Sequence, residues 1–173
     1  MHEIIYWSTV AAPRGDCIVI ATDKAIIWTG TPGSPFAEAQ SYIKSYFPTA
    51  HIIKGVQSPV LKKALKELSE YLQGKRIDFS GPFALHGTPF QVAVWKQMLQ
   101  IPYGKTITYG ELAKRVGKPN ASRAVGGACN KNPIAILVPC HRVVGSTGAL
   151  TGYGGGLPTK KWLLELEKAI EKV

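Results

Sequence analysis

The sequence predicts an α/β N-terminal domain with a small mixed sheet, over residues 1–82. A mostly α C-terminal domain of winged helix-turn-helix type follows, over residues 83–173. Three observations predict this. Runs rich in β-branched and aromatic residues alternate with helical periodicities in the first half. Two helix-opening capping boxes stand in the second half. The basic charge is also gathered there: residues 1–87 hold nine Lys/Arg against seven Asp/Glu, residues 88–173 twelve against four. Within residues 88–161 the tally is ten to one, the single acid being Glu111.

In the first half, "EIIYWSTV", "CIVIAT" and "AIIWTG" read as strands separated by turn residues. Ser34-Pro35 opens a helix carrying Phe36, Ala39, Ile43 and Phe47. The segment "SPVLKKALKELSEYLQG" is the clearest helix. Ser58 caps it, Pro59 takes the first helical position, and Leu61, Leu65, Leu68 and Leu72 form a stripe that Gly74 ends. His51 and His86 have no metal-spaced partners and read as surface or packing residues, so no metal is expected.

In the second half, Thr88 with Gln91 makes a capping box before a helix burying Val94, Trp95, Met98 and Leu99. Thr108 with Glu111 makes another, opening a helix that Gly117 closes. Asn120 is expected to cap a third helix, "ASRAVGGACN". Helix, turn and helix on a basic surface read as a helix-turn-helix. The third helix is unusual, because Arg123 is its only long side chain and Gly126-Gly127 lie within it. Each glycine costs a helix about 1 kcal/mol relative to alanine. Two readings account for them: close approach to a wide, flat partner such as the minor groove, or tight packing against another helix.

The chemistry centres on "AILVPCHRVVG". The reactive form of cysteine is the thiolate, and positive charge or an imidazole nearby raises its population. His141 and Arg142 follow Cys140 directly. In an extended segment their side chains would alternate faces, so a water or a turn is needed to connect sulfur and imidazole. An imidazole base also needs a carboxylate to orient it. In the C-terminal helix Trp162, Leu163, Leu166 and Ile170 centre the apolar stripe, and at ~100° per residue Glu167 falls about 80° from that centre. It is the carboxylate nearest the interior; an ordinary solvated flank position is the competing reading. The run "GYGGG" lacks the context of a phosphate loop and reads as a lid or pocket wall, with Tyr153 as an aromatic face.

The stretch "NPIAILVPCHRVVGSTGALTGYGGGLPTKKWLLELE", with "RAVGGA" and "TYGELA" upstream, resembles the O6-alkylguanine-DNA alkyltransferases, also called methylated-DNA–protein-cysteine methyltransferases. The resemblance covers about half the chain. It implies a suicide DNA repair enzyme that moves alkyl groups irreversibly from O6-alkylguanine, and from O4-alkylthymine, to Cys140 after base flipping. His141 would act through a water as base, Glu167 would orient it, and Asn132 would brace the turn before the active-site strand. Arg123 would fill the gap left in the base stack. Tyr109, Val143, Tyr153 and Gly154 would contact the flipped nucleotide. Thr108, Ala121, Ser122, Ala124, Gly126 and Gly127 would face DNA. No cofactor is implied; the partner is duplex DNA carrying alkylated guanine, and the protein is expected to be a monomer. Gly154 stands where some relatives have serine. Two rivals remain from the residues alone: a cysteine hydrolase, which leaves the basic helices unexplained, and a non-catalytic damage sensor, which would not need the thiol.

No apolar run reaches the ~18 residues of a membrane span. The start "MHEIIYWSTVAAPRGD" carries no secretory pattern, and the three cysteines have no disulfide-framework spacing. A reducing, cytoplasmic location is therefore expected.

Overall fold

The computed structural model describes residues 2–171. The chain divides into two compact units. The first runs up to His86 and takes in Pro133–Leu137; the second comprises Gly87–Asn132 and the chain from Val138 onward.

The first unit is built on a four-stranded mixed sheet of β1 (Ile4–Val10), β2 (Cys17–Ala21), β3 (Ile26–Thr29) and β4 (His51–Lys54), in the order β3-β2-β1-β4. β1 pairs antiparallel with β2 and parallel with β4. Helices α1 (Phe36–Tyr46) and α2 (Pro59–Leu72) complete the unit. Every residue of β2 is buried, as in a central strand covered on both faces. On one face Ile5, Ile18, Ile20 and Trp28 pack with Ala39 and Ile43 of α1, while α2 packs on β1, β2 and β3. The sequence reading contained no β4, and the reason is physical. His51–Lys54 is an edge strand exposed along its whole length, without the in-out alternation that a half-buried strand shows.

The segment Pro133–Leu137 is bound into this unit through Thr29. Thr29 N donates to Pro133 O at 3.0 Å, Ala135 N donates to Thr29 O at 3.3 Å, and the buried Thr29 hydroxyl donates to Ala135 O at 2.5 Å. His51 stacks edge-on against His2, and His86 Nδ1 lies 3.2 Å from the Tyr42 hydroxyl.

The second unit carries α3 (Pro89–Met98), β5 (Ile107–Thr108), α4 (Tyr109–Arg115), α5 (Ser122–Asn130), a 3₁₀ turn (Cys140–Arg142), β6 (Val143–Val144) and α6 (Leu157–Leu166). The Thr88–Gln91 capping box is complete in both directions. Thr108 Oγ1 accepts from Glu111 N at 3.0 Å, while the Glu111 carboxylate pairs with Arg115. α4, its turn and α5 form the helix-turn-helix. Trp95 Nε1 donates to Ala128 O at 2.8 Å and fixes α5 on α3. β5 and β6 pair in parallel.

Two local expectations are corrected. Ala121, not Asn120, is the N-cap of α5, and it supplies no side-chain cap bond. The turn that bonds Ala121 N to Lys118 O leaves Asn120 exposed one residue too early. Cys140 lies on the 3₁₀ turn rather than on a strand, and β6 begins only at Val143. Among the described residues no helix is long and apolar enough to cross a membrane.

Ser58 Oγ accepts from Leu61 N at 3.2 Å and donates to Thr22 O at 2.9 Å, so one buried hydroxyl caps α2 and ties it to the sheet. Ser58→Ala should destabilise the protein by about 2 kcal/mol, read as a lower midpoint in urea unfolding.

Candidate active site

The chain approaches Cys140 through a tight stitch. Asn132 Nδ2 donates to Val138 O at 2.8 Å, tying together the two points at which the chain leaves and rejoins the second unit. Cys140 N bonds to Val138 O and Arg142 N to Pro139 O, which winds the 3₁₀ turn. Cys140 is 8% exposed and His141 fully buried. The turn supplies what an extended segment could not: three successive side chains spread around an axis rather than alternating between two faces.

Glu167, the C-cap of α6, is the hub. Its carboxylate binds His141 Nε2, accepts from Arg142 Nε at 2.7 Å and accepts from Gly104 N at 3.2 Å. Arg142 Nη1 donates to Ile101 O at 2.6 Å. Burial alone would raise the Glu167 pKa; the hydrogen bond and electrostatic pull of the His141 imidazole, and those of the Arg142 guanidinium, outweigh it and hold the group down at about 2. Glu167 is therefore ionised at neutral pH and can only accept. The proton of the shared bond thus belongs to Nε2, which leaves Nδ1 as the basic nitrogen of His141. Burial lowers the His141 pKa more than Glu167 raises it, so the imidazole is neutral.

The stripe expected on α6 is displaced. Thr159, Lys160, Leu163 and Leu164 face inward with Glu167, whereas Trp162 and Leu166 are half-buried. Positions 160, 163, 164 and 167 share one helical face. A charged residue at each end of that face draws a hydropathy average toward Trp162. The sequence reading consequently missed Lys160, which has 0% exposure. Its ammonium donates to Val143 O at 2.5 Å, Thr151 O at 3.0 Å and Gly152 O at 3.3 Å.

The Cys140 thiol is pushed up by burial, with the Asn132 side chain and the Lys160 charge opposing that rise. The Arg142 guanidinium is bonded to Glu167 and to Ile101 O.

The other candidates are spread along the same unit. The Tyr109 hydroxyl donates to Thr151 O at 2.9 Å and Gly152 O at 3.4 Å. Tyr153 is half-buried and Gly154 exposed, with nothing within 4 Å of a Cβ placed at Gly154. Thr108 serves as the cap of α4. On α5, Ser122, Arg123, Ala124 and Gly127 are exposed, while Ala121 and Gly126 are half-buried. Packing does not require either glycine. A Cβ at Gly127 would meet nothing within 4 Å, and one at Gly126 would meet the Tyr109 ring at an ordinary 3.9 Å. Helix-against-helix packing therefore does not explain them. Among the described residues no cluster of His, Cys, Asp or Glu side chains could hold a metal ion.

This geometry has counterparts. Residues 5–85 match the ribonuclease-like domain of the 6-O-methylguanine DNA methyltransferases, and residues 89–169 match their DNA-binding domain. An inducible methylated-DNA–protein-cysteine methyltransferase of Bacillus subtilis is 39% identical over 95% of this chain and 90% of its own length. The chain belongs to the O6-alkylguanine-DNA alkyltransferase family. A second alkyltransferase, from Mycobacterium bovis, is 55% identical over 61% of this chain and 64% of its own. The solved O6-methylguanine methyltransferase of Mycobacterium tuberculosis superposes with a TM-score of 0.81 at 37% identity, over 95% of this chain and 93% of that one. The same protein in complex with DNA gives 0.80 at 38% identity, over 95% and 92%.

In this alkyltransferase Glu167 has a folded pKa below its ordinary value. Its stabilising contribution is fully present above about pH 4.5 and is lost as the pH falls through about 2. Glu167→Gln should remove that part of the acid-unfolding curve. By leaving Arg142 without its counter-ion, it should also cost about 3–5 kcal/mol at pH 7 in urea unfolding.

Proposed function

We propose that this chain repairs duplex DNA by taking the alkyl group of O6-alkylguanine, and of O4-alkylthymine, onto Cys140, acting once and as a monomer. Residues 83–173 would form the DNA-binding and alkyltransferase domain, at work in the cytoplasm. The observation that carries this reading is the Cys140 turn: a nearly buried thiol is followed by an imidazole whose tautomer an ionised, buried glutamate dictates.

His141 Nδ1, directly or through one water, would take the thiol proton. The sulfur lone pair then forms the S–C bond to the alkyl carbon, and the C–O6 bond breaks with its electron pair going to guanine. The purine is protonated as it leaves, so the net proton movement is from sulfur to base. The thioether so formed carries no acidic proton and no good leaving group, which makes the step irreversible. The buried position of Cys140 requires the nucleotide to leave the duplex, at a cost of a few kcal/mol. Arg123, exposed on α5, would fill the vacated space.

Tyr109 would have to exchange its bonds to Thr151 and Gly152 for the flipped base or its phosphate. Asn132 braces the approach to the turn. Val143, Tyr153 and Gly154 would line the base site. Thr108, Ala121, Ser122, Ala124, Gly126 and Gly127 would lie along the DNA. Absent side chains at Gly126 and Gly127 suit a helix that presses on a broad ligand, since neither serves packing within the unit.

Duplex DNA with radiolabelled O6-methylguanine tests the reaction. One equivalent of label per protein should appear on the peptide holding Cys140, leaving plain guanine, and Cys140→Ala should accept none. Turnover beyond one equivalent, or label in Cys140→Ala, would overturn the reading. Gly127→Ala separates DNA approach from folding. It should stabilise the protein by about 1 kcal/mol in thermal unfolding while weakening binding to duplex DNA severalfold in a fluorescence titration.

A further inference from the structure

Lys160 is a fully buried ammonium on the first turn of α6. A buried charge is costly unless it is paired and hydrogen-bonded. Its three donors are used on the carbonyls of Val143, Thr151 and Gly152, so the hydrogen bonds are complete. The pairing is not. Among the described residues no Asp or Glu forms an ion pair with it, and Glu167, the acid on the same buried face, is occupied by His141 and Arg142.

The groups around Lys160 that can carry negative charge are two thiols and a phenol. Cys129 of α5 contacts Met98 Sδ at 3.6 Å and is pushed by burial up to about 12, so it remains a thiol. The Tyr109 ring of α4 lies 5.7 Å from the ammonium, and burial raises its hydroxyl too. That leaves Cys140. Val143 N donates to Cys140 O and Val143 O accepts from Lys160 Nζ at 2.5 Å, so the ammonium is bound to the residue that closes the Cys140 turn. After the Asn132 side chain, the Lys160 charge opposes the cost of ionising the thiol. His141, on the same turn, is neutral and further discouraged from protonation by Lys160. The loop carbonyls add a second link, because the Tyr109 hydroxyl donates to the same two, Thr151 and Gly152, that Lys160 holds. When Tyr109 turns to a substrate, Lys160 still anchors them.

We propose that Lys160 is a positioning residue for alkyl transfer, its buried ammonium serving as counter-charge to the Cys140 thiolate and as the clamp on the Thr151–Gly152 carbonyls. The inference rests on alkyl transfer to Cys140.

The thiolate is followed by ultraviolet absorbance as the difference between each chain and its Cys140→Ser counterpart, across pH. Lys160→Met should move the titration midpoint up by about one unit or more, lowering the thiolate fraction about tenfold at neutral pH. Transfer from free O6-benzylguanine should fall by the same factor and recover at higher pH. Lys160→Arg, which keeps the charge, should titrate near the parent chain. A Lys160→Met titration that superimposes on the parent, or a rate reduced equally at every pH, would overturn the proposal.

A second measurement needs only the unaltered sequence. Methyl transfer abolishes the thiolate, so in isotope-labelled protein the Lys160 ε-carbon resonance, assigned by its loss in Lys160→Arg, should report deprotonation at lower pH after transfer. Identical titrations before and after would equally overturn it. If the parent chain takes no label from alkylated guanine, the alkyl-transfer reading itself fails; if it takes label while Lys160 stays indifferent, only the counter-charge does.

Discussion

A carboxylate that has left water must be compensated where it lies, and Glu167 is compensated from three directions at once. The imidazole of His141, the guanidinium of Arg142 and the Gly104 amide all converge on it. Through those bonds the end of α6, the 3₁₀ turn and the chain after α3 are held in mutual register. Removing one partner from such a set is far more damaging than the modest net worth of an intact pair suggests, because a charge is stranded in low dielectric. The same set decides chemistry. An ionised acceptor on Nε2 leaves Nδ1 as the basic nitrogen of a neutral imidazole.

Two charge systems thus coexist within a few residues and are kept apart. One joins Arg142, Glu167 and His141; the other gathers Lys160 and the carbonyls of Val143, Thr151 and Gly152. Both originate from one face of α6, at positions 160 and 167, two helical turns apart with Leu163 and Leu164 between them. The adjacent Cys-His-Arg triplet invites a simpler picture in which the basic neighbours activate the thiol directly. The bonds show Arg142 committed to Glu167 and Ile101 O, and the buried cation left without an acid is Lys160, twenty positions after the thiol.

Much of the architecture was legible because local signals were strong. The strands β1 to β3, the cap at Ser58, the Thr88–Gln91 box and the helix pair around Gly117 all follow from residue pattern and turn chemistry. β4 was not legible, since an exposed edge strand carries no burial pattern. The cap of α5 was misplaced by one residue, because Asn120 is a good capping residue standing in a turn that does not use it. At the site, Cys140, His141 and Glu167 could be named from sequence and from family resemblance, whereas Lys160 could not. A lysine on an amphipathic helix is ordinarily assigned to solvent, and only its tertiary setting, with loop carbonyls folded over it, makes burial tolerable. The 3₁₀ turn was likewise hidden within an apolar run that reads as extended.

The Thr29 contacts bear on how the molecule is made. The first unit is not finished when its leading 86 residues have been synthesised. It still awaits Pro133–Leu137, which the ribosome delivers only after α3, α4 and α5. Until then the edge of β3 at Thr29 has neither the carbonyls of Pro133 and Ala135 nor the amide of Ala135. A chain ending before residue 133 lacks the partners that Thr29 N, Thr29 O and the Thr29 hydroxyl have in the complete unit. The five residues that complete that edge end immediately before the stretch that winds into the Cys140 turn, so the segment that closes one body also leads into the reactive turn of the other.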